Sequence, residues 1–438
     1  MFPEFRAATL TGGGDTPALN ATLYGMALAA RDKKGELIGF RRGWVGPLFP
    51  NKEYLVHGKD SEGRPKITKL EDITGEYVVL KPELINPNQG GSIIFSSRTD
   101  LTKIPGALED VATRLKTLNI NYFLPIGGED TNTVTLYALR NGIFHPIAVM
   151  AVPKTIDNDV GLVGPDNLFI GFEHMINFFD PGHPSANRNG RTFVNRTRST
   201  TYTHERVFWA EAMGRHAGFL TIGTAHLGNA SLAIVPEDPV NIEDIAARTL
   251  KIYKERGFFY GIVSEGAINA ETGKLISQDQ TLWDTFGHGK LGGAAKVIAS
   301  ATEAYFKAHG VRAPYHNAQI PEYMFRGGPP TREDKEAAIE LGYQAMTELI
   351  ENNRNGHMAV LKWNGVRAVP STMPLEQAVA TDEENRIKPR KLPIDRENPE
   401  NGFYDSNTKL PTPLGRQYVD LFGVPPIRFR EWEGQVFR

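Results

Sequence analysis

The chain alternates short apolar runs with amphipathic segments, which is the pattern of repeated βαβ units. In the first half, apolar runs predict strands at residues 6–11, 36–40, 77–80, 122–126 and 147–152. Helical spacing of apolar residues predicts helices from near Pro17, over 106–118, and from the second glycine-rich turn to near Gly142. A second series predicts strands at 207–211, 231–235 and 259–263, with helices at 242–256, 292–309 and 332–352. We therefore expect an α/β fold with two doubly wound, Rossmann-like αβα domains.

Length and pattern together predict the domain organisation. A chain of 438 residues is too long for one ordinary domain and suggests two. We place the first domain at residues 1–165 plus 327–373 and the second at 166–326. Residues 374–438 are rich in proline and charge with little periodicity, so they predict an extension that wraps the core or joins subunits. Residues 180–204 read as a polar insertion rich in arginine and asparagine.

Composition excludes several classes of function. The net charge is −2 and no basic stripe stands out, so we expect no nucleic-acid partner. No apolar run approaches the roughly 20 residues that span a bilayer, so we expect no membrane partner. The chain has no cysteine, which excludes disulfides, thiolate metal sites and a cysteine nucleophile. Without a recognisable signal peptide, the expected location is the cytoplasm.

Two glycine-rich turns, each between a predicted strand and a predicted helix, are candidate phosphate cradles. The first contains Gly13, Gly14 and Asp15, and the second contains Gly128, Glu129 and Asp130. Glycine lets the backbone approach a phosphate, and a helix N-terminus offers free N–H groups. Acidic residues beside a phosphate suit a bridging Mg²⁺. The alternative is an ordinary tight turn whose polar residues cap a helix. The chain contains neither a Walker motif nor the usual dinucleotide fingerprint.

The densest polar motif follows the predicted strand at 147–152. It brings Lys154, Thr155, Asp157 and Asp159 to a strand's carboxyl end, where open α/β sheets bind ligands. One carboxylate could act as a general base for a hydroxyl while the other binds metal or orients the loop. Lys154 could neutralise a phosphate-rich anion. The alternative is a solvated acidic turn, which this density of short polar groups disfavours.

Further candidates are weak individually. Residues 90–98 predict a glycine-led strand that ends in Arg98, which could bridge phosphoryl oxygens or simply lie at the surface. A second strand end presents Met213, Gly214 and Arg215, and a third presents Glu265. Arg326 precedes a long predicted helix and could grip a second phosphate, although a plain turn explains the same residues. His216 has no partner at metal-binding spacing.

Taken in order, these segments resemble the phosphofructokinase family over nearly the whole chain except its last part. The resemblance implies Mg-dependent phosphorylation of the 1-hydroxyl of fructose 6-phosphate. It assigns the general base to Asp157, the metal site to Glu129 and stabilisation of the transferring group to Arg98. The first domain would bind the phosphoryl donor and the second the sugar phosphate. The implied sugar-phosphate site comprises Thr155, Asp159, Met213, Gly214, Arg215, Glu265, Tyr323 and Arg326. Arg206 resembles an arginine that reaches a neighbouring subunit, which implies a homodimer or homotetramer.

Two positions predict which phosphoryl donor the protein uses. ATP-using members of the family have glycine where this chain has Asp130 and Lys154, whereas pyrophosphate-using members resemble this chain at both. A carboxylate at position 130 would repel an α-phosphate, and a lysine at position 154 can compensate compact pyrophosphate. We therefore favour pyrophosphate, with a nearly reversible reaction. The alternatives are an ATP-dependent phosphofructokinase and a non-catalytic phosphate-sensing subunit. Departures such as Ala18 in the first turn leave sedoheptulose 7-phosphate as a second acceptor.

Overall fold

The computed structural model describes residues 3–59, 64–71, 73–277, 292–312 and 315–427. Their strands are β1 (Arg6–Thr11), β2 (Glu36–Phe40), β3 (Leu55–Lys59), β4 (Pro65–Lys69), β5 (Tyr77–Val79), β6 (Tyr122–Gly127), β7 (Ala148–Pro153), β8 (Val207–Ala212), β9 (Leu232–Ile234), β10 (Phe259–Ser264), β11 (His316–Gln319), β12 (His357–Trp363), β13 (Ala368–Pro374), β14 (Ala380–Thr381), β15 (Ile387–Lys388), β16 (Tyr404–Asp405) and β17 (Leu410–Pro411). Their α-helices are α1 (Leu19–Asp32), α2 (Ala107–Thr117), α3 (Glu129–Arg140), α4 (His183–Thr203), α5 (Phe219–Gly228), α6 (Ile242–Arg256), α7 (Ala294–Ala308), α8 (Arg332–Glu351), α9 (Leu375–Ala378) and α10 (Pro413–Asp420).

Two separate sheets carry the fold. The larger has seven strands in the order β13-β12-β7-β6-β1-β2-β5, and the smaller has four in the order β11-β8-β10-β9. All pairings in the smaller sheet are parallel, and in the larger only β5 and β13, at the two edges, run antiparallel to their neighbours. The predicted α/β class is confirmed, while the domain boundaries stay a prediction.

The register of the larger sheet brings three loops together. Thr11 of β1 is paired with Ile126 of β6, and Ile126 is in turn paired with Val152 of β7. Because these strands are parallel and end at the same level, the residues after each one meet at a single edge of the sheet. That edge therefore collects both glycine-rich turns and the loop that begins at Lys154.

Helices α1 and α8 cover the larger sheet in unusually close contact. A Cβ atom on Gly25 would lie 2.0 Å from the carbonyl oxygen of Ile339, and one on Gly342 would lie 2.2 Å from that of Thr22. No larger residue fits at either glycine without moving backbone. These two glycines therefore set the distance between the helices, whose apolar residues join the largest buried core cluster.

Residues 180–204, predicted as a polar insertion, instead form helix α4 inside the fold. Its buried face mixes Phe193 and Val194 with polar side chains such as Asn187, so no apolar period marks it. The neighbouring α5 is lined with glycine where the two helices meet, and a Cβ on Gly223 would lie 1.7 Å from Asn187 Oδ1. Helix α4 therefore packs against α5 through close contact at small residues. It has no continuous apolar stripe of the kind that predicts a buried helix face from sequence.

The predicted strand at residues 90–98 was wrong. The segment is a loop with Phe95 in the left-handed region at φ 58°, and only one isolated bridge joins it to β1's end, between Ser97 and Gly12. Its backbone hydrogen bonds go elsewhere, since the amide of Ile93 donates to Asn20 Oδ1 at 2.9 Å. The loop is therefore fixed by the first glycine-rich turn and helix α1 and not by a sheet.

The described part of the extension, residues 374–427, packs onto the core. Phe403, Tyr418 and Phe422 are fully buried in the largest core cluster, and the Tyr404 hydroxyl donates to the carbonyl of Ala233 at 2.7 Å. Residues 428–438 lie outside the described residues. Sequence reasoning also left β12, β13 and α5 unassigned. Among the described helices, none combines the length and apolarity required to cross a membrane.

Candidate active site

A cavity of about 630 Å³ lies where the carboxyl ends of the two sheets face each other. Loops of both sheets and one segment of the extension form its wall. The residues that line it are Gly13, Gly14, Arg98, Lys103, Gly128, Glu129, Asp130, Thr131, Lys154, Thr155, Asp157, Asp159, Glu211, Ala212, Met213, Arg215, His216, Glu265, Ile320, Glu322, Tyr323, Arg326 and Arg386.

The first glycine-rich turn is tied to the loop that carries Arg98. The Gly13 amide donates to the carbonyl of Ser97 at 2.8 Å, and Ser96 Oγ donates to the carbonyl of Gly13 at 2.6 Å. Gly13 has φ 79°, a conformation that favours glycine. A Cβ on Gly14 would lie 2.5 Å from Arg326 Nη1. The backbone of this turn therefore lines the cavity, and the turn contacts both the loop that carries Arg98 and the side chain of Arg326.

Lys154 joins the two glycine-rich turns. Its amide donates to the carbonyl of Gly127 at 3.0 Å, and its Nζ donates to the carbonyl of Gly14. The side chain is only 2% exposed. Burial, together with the nearby charges of Arg326 and Arg98, lowers the pKa of Lys154 to about 7. A bound anion would restore the charged ammonium, so this site is built for a strongly anionic ligand.

The acidic pair, Asp157 and Asp159, lies on the same loop as Lys154 and lines the same cavity. The Asp157 amide donates to Thr155 Oγ1 at 3.1 Å, whereas Asp157 Oδ1 is buried and has no hydrogen-bond partner among the described residues. Burial and the charges of Asp157 and Glu129 raise the pKa of Asp159 well above its usual value. A buried acceptor without a partner is costly unless a ligand supplies the donor. Asp157 is thus available to a substrate hydroxyl.

Glu129 and Asp130 lie in the first turn of α3, directly after β6 of the larger sheet, and both line the cavity. Burial and the charge of Asp130 raise the pKa of Glu129 to about 7. Among the described residues no group of three or more His, Asp or Glu side chains forms a metal cage. Mg²⁺ needs none, since it commonly uses one or two carboxylates with substrate phosphates and water. The partly buried carboxylate of Glu129, which lines the cavity, therefore fits a Mg²⁺ ligand.

The smaller sheet supplies the opposite wall through the ends of β8 and β10. The Glu265 amide donates to the carbonyl of Ala212 at 2.9 Å, and its carboxylate accepts from the Gly214 amide at 3.2 Å. Burial and the charge of Asp157 raise the pKa of Glu265 to about 7. Met213 and Arg215 line the same wall. This side offers both acceptors and a guanidinium, as sugar hydroxyls and a phosphate ester require.

The rim is formed by a short 3₁₀ helix, Glu322–Phe325, and the residue after it. Tyr323 lines the cavity while remaining 72% exposed. Arg326 Nη1 lies 3.4 Å from the carbonyl oxygen of Asp15. The Arg326 side chain therefore contacts the first glycine-rich turn and adds a cation to the lining of the cavity.

Most predicted site residues meet in this cavity, with three exceptions. Asp15 and Gly214 do not line it, although their backbones contact Arg326 and Glu265. Arg206 lies elsewhere, donating to Thr200 Oγ1 at 3.2 Å and stacking over the Tyr315 ring at 5.8 Å. The individual roles of all these residues stay predictions. Sequence reasoning missed Lys103, Glu211 and Arg386, none of which lies in a recognisable motif.

Fold and site together define an α/β protein whose cleft lies at the carboxyl ends of two sheets and is lined by both cationic and carboxylate side chains. Comparison with known proteins agrees with this class. The family model described as phosphofructokinase matches residues 6–349. The chain belongs to the phosphofructokinase family.

Named relatives and solved structures extend the comparison. A pyrophosphate–fructose 6-phosphate 1-phosphotransferase from Amycolatopsis methanolica is 29% identical over 88% of this chain and 97% of its own. An ATP-dependent 6-phosphofructokinase from Corynebacterium efficiens is 30% identical over 89% of this chain and 96% of its own. The crystal structure of a pyrophosphate-dependent phosphofructokinase from Marinobacter aquaeolei covers 99% of this chain and 95% of its own, with TM-score 0.68 and 20% identity. The last comparison supports the fold alone, and the relatives include both donor types.

Proposed function

We propose that this protein transfers a phosphoryl group from pyrophosphate to the 1-hydroxyl of fructose 6-phosphate, reversibly and with Mg²⁺. The observation that carries the proposal is the charge arrangement on the donor side. Buried Lys154 lies between the two glycine-rich turns, and the carboxylate of Asp130 lines the same wall. Family membership and the name of the Amycolatopsis methanolica relative support the same activity.

The donor assignment follows from electrostatics in a small site. Pyrophosphate concentrates its charge in two phosphates, which a buried ammonium at position 154 can neutralise. ATP would add an α-phosphate and a nucleoside, and the Asp130 carboxylate would repel the former. The exchange of a phosphoanhydride for a phosphoester without ATP leaves the reaction nearly reversible.

The chemical step needs positioning and charge compensation more than covalent help. Asp157 Oδ1, which lacks a hydrogen-bond partner among the described residues, accepts the proton of the 1-hydroxyl as the hydroxyl oxygen attacks a phosphorus of pyrophosphate. The bond from that phosphorus to the bridging oxygen breaks, and inorganic phosphate leaves. Arg98 and Lys154 offset the charge of the transferring group. Mg²⁺, held by Glu129, would supply Lewis-acid neutralisation of the donor phosphates.

The acceptor is held mainly by the opposite wall. Glu265 and the backbone at Met213 are suited to sugar hydroxyls, whereas Arg215 and Arg326 are suited to the 6-phosphate. Thr155 orients the loop through the amide of Asp157. Residues 1–165 plus 327–373 would then form the donor domain and 166–326 the sugar-phosphate domain.

A donor-by-acceptor activity matrix on the purified chain tests this function. Mg-pyrophosphate and Mg-ATP are each paired with fructose 6-phosphate and with sedoheptulose 7-phosphate, and initial rates are compared. We expect the highest kcat/KM with pyrophosphate and fructose 6-phosphate. Equal or higher turnover with ATP would instead support the ATP-dependent alternative, which the 30% identical relative from Corynebacterium efficiens favours. No turnover with any pair would support a non-catalytic phosphate sensor.

Assembly and location complete the proposal. We place the protein in the cytoplasm as a homodimer or homotetramer in which Arg206 reaches a neighbouring subunit's sugar site. Light scattering measures the oligomeric state directly. Arg206→Met should raise the KM for fructose 6-phosphate while leaving the KM for pyrophosphate unchanged, and an unaltered sugar KM would exclude this role.

A further inference from the structure

Arg386 reaches from the C-terminal extension into the donor side of the cavity. Its Nη2 contacts Asp130 Oδ1 at 3.1 Å and its Nη1 contacts Asp100 Oδ2 at 3.1 Å. It also lines the cavity, as do Glu129 and the buried Lys154. Its position lies beyond residues 6–349, the part matched by the family model. The donor site therefore contains a cation that the matched region does not supply.

The guanidinium is held in place from several directions. Arg386 lies in the β14–β15 hairpin, where its amide donates to Asp382 Oδ1 at 2.8 Å. The next amide, that of Ile387, donates to Thr133 Oγ1 on α3 at 3.0 Å, and Ile387 is 1% exposed. The hairpin is thus docked directly on the helix whose first turn carries Asp130.

Asp100 makes this contact different from an ordinary surface ion pair. Its side chain is only 6% exposed, and its Oδ1 already accepts from the amide of Thr102 at 3.1 Å. Although burial alone would raise its pKa, hydrogen bonding from Thr102 and the charges of Lys103 and Arg386 lower the pKa of Asp100. One arm of Arg386 is therefore fixed on a buried, ionised carboxylate, which leaves the other arm positioned for Asp130.

The carboxylate of Asp130 needs such a partner to serve as a steric and electrostatic wall. Asp130 and Glu129 are adjacent acids in one helical turn, and the charge of Asp130 disfavours the charged form of Glu129. A carboxylate displaced from this position would leave room for a longer donor. Held by a guanidinium, it stays at a defined place while its charge is partly neutralised.

We infer that Arg386 is a specificity-determining positioning residue for the phosphoryl donor, which holds the Asp130 carboxylate where it admits pyrophosphate and excludes an α-phosphate. The inference rests on the proposed function. It assigns to the extension a part in donor recognition and not only a structural role.

The test compares Arg386→Met, Arg386→Lys and a matched control. Arg140→Met is the control because Arg140 also joins α3 to the extension, with Nε 2.7 Å from Glu376 Oε1 and Nη1 3.0 Å from Asn385 Oδ1, yet does not line the cavity. For each variant, kcat and KM are measured for Mg-pyrophosphate, for Mg-ATP and for fructose 6-phosphate, the last with saturating pyrophosphate.

Arg386→Met should raise the KM for pyrophosphate by about 10–100-fold, as expected for loss of a hydrogen bond to a charged group. The KM for fructose 6-phosphate should change less than about twofold, and the kcat/KM ratio of pyrophosphate to ATP should fall at least about tenfold. Arg386→Lys should recover part of the ratio, since lysine keeps the charge but loses the fork that spans two carboxylates. Arg140→Met should keep the wild-type ratio.

A double variant separates action through Asp130 from a general loss of structure. If Arg386 acts by holding Asp130, Arg386→Met should add little to the donor parameters of Asp130→Gly. Additive effects, or equal loss for donor and sugar in Arg386→Met, would overturn the inference. A wild-type protein without pyrophosphate-dependent turnover would instead overturn the proposed function, so the two failures are distinguishable.

Discussion

Replacing Arg390 with methionine should destabilise the protein through the loop that carries the proposed base. Arg390 is 1% exposed, and its Nε and Nη2 donate to the carbonyl of Asn158 at 2.8 and 2.6 Å. Its Nη1 donates to the carbonyl of Asn177, and its Nη2 lies 3.7 Å from the fully buried Asp180. Asn158 separates Asp157 from Asp159 and has φ 60°. Methionine would keep most of the volume but remove every one of these polar contacts.

The cost follows from what would be left behind. Removing one partner of a buried ion pair destabilises by about 3–5 kcal/mol, because the remaining charge is uncompensated. Here the remaining group is Asp180, whose pKa is raised to about 7 by burial and held down by Arg390. Two buried carbonyls would also lose their donors. We therefore expect about 3–5 kcal/mol at about pH 8.

The pH dependence has a definite sign. Between the ordinary pKa of an aspartate and about 7, the folded chain keeps the Asp180 proton that the unfolded chain releases, so this group's contribution to stability falls as pH rises. Without Arg390 the folded pKa rises further. The loss of stability caused by Arg390→Met should therefore be small below about pH 7, where Asp180 is protonated in both proteins. Above about pH 7 it should grow with pH, by up to about 1.4 kcal/mol per pH unit.

Urea unfolding at about pH 6 and about pH 8 measures this penalty. The control is Arg416→Met in the same extension, where an exposed side chain donates to the carbonyl of Pro411 at 2.8 Å and should matter by less than about 0.5 kcal/mol. Arg390→Met combined with Asp180→Asn should be less damaging at about pH 8 than Arg390→Met alone. A penalty below about 1 kcal/mol at both pH values, or one that grows toward acid, would refute the reasoning.

Three further outcomes follow from the site and the core. Asp157→Ser should lower kcat by ~10²–10⁴-fold with little change in the KM for fructose 6-phosphate, because the base acts on the proton being transferred; near-normal turnover in a steady-state assay would reject that role. Burial lowers the pKa of Lys154 to about 7, so pyrophosphate binding above that pH should take up a proton. Calorimetry in buffers of different ionisation enthalpy measures the uptake, which Lys154→Met should reduce; equal uptake in both proteins contradicts the assignment. Gly25→Ala should destabilise the fold by about 1–3 kcal/mol, because its Cβ would lie 2.0 Å from the carbonyl oxygen of Ile339. A thermal melt compares it with Gly58→Ala, whose Cβ would meet nothing within 4 Å, and equal melting temperatures would contradict the packing argument.

The sequence predicted seven of the sheet strands that are largely buried, because burial on two faces leaves a continuous apolar run: β1, β2, β6, β7, β8, β9 and β10. It did not predict β11, β12 or β13. Strand β7, for example, has five fully buried residues in a row before Lys154, and its predicted range differs from Ala148–Pro153 by one residue at each end. The same logic placed the polar loops, since parallel strands deliver their following residues to one edge. Local pattern and sheet geometry were therefore sufficient to bring together the proposed base, the lysine and both glycine-rich turns.

Prediction failed where packing uses contacts that leave no period in the sequence. Helix α4 buries Asn187 against Gly223 of α5 and also buries Arg198, which donates to the carbonyl of Asn229, so its polarity suggested a polar insertion. The loop at residues 90–98 has the composition of a strand, yet side-chain acceptors such as Asn20 satisfy its amides and Phe95 adopts a left-handed conformation. Both errors arise from partners far away in the sequence, which no local rule contains.

The extension also makes contacts with residues distant in the sequence, some of them at the active site, that its local pattern does not predict. Arg386 contacts Asp130 across 256 residues and Arg390 contacts Asn158 across 232, while the Leu392 amide donates to Glu237 Oε1 at 2.9 Å. These three contacts occupy only seven consecutive positions of an aperiodic, charged segment. In a segment that runs along a cleft, apolar residues need not recur at helical or strand spacing, because each side chain contacts a different loop. A lack of periodicity in such a segment therefore indicates that it forms no long helix or strand. It does not indicate that the segment lies outside the active site.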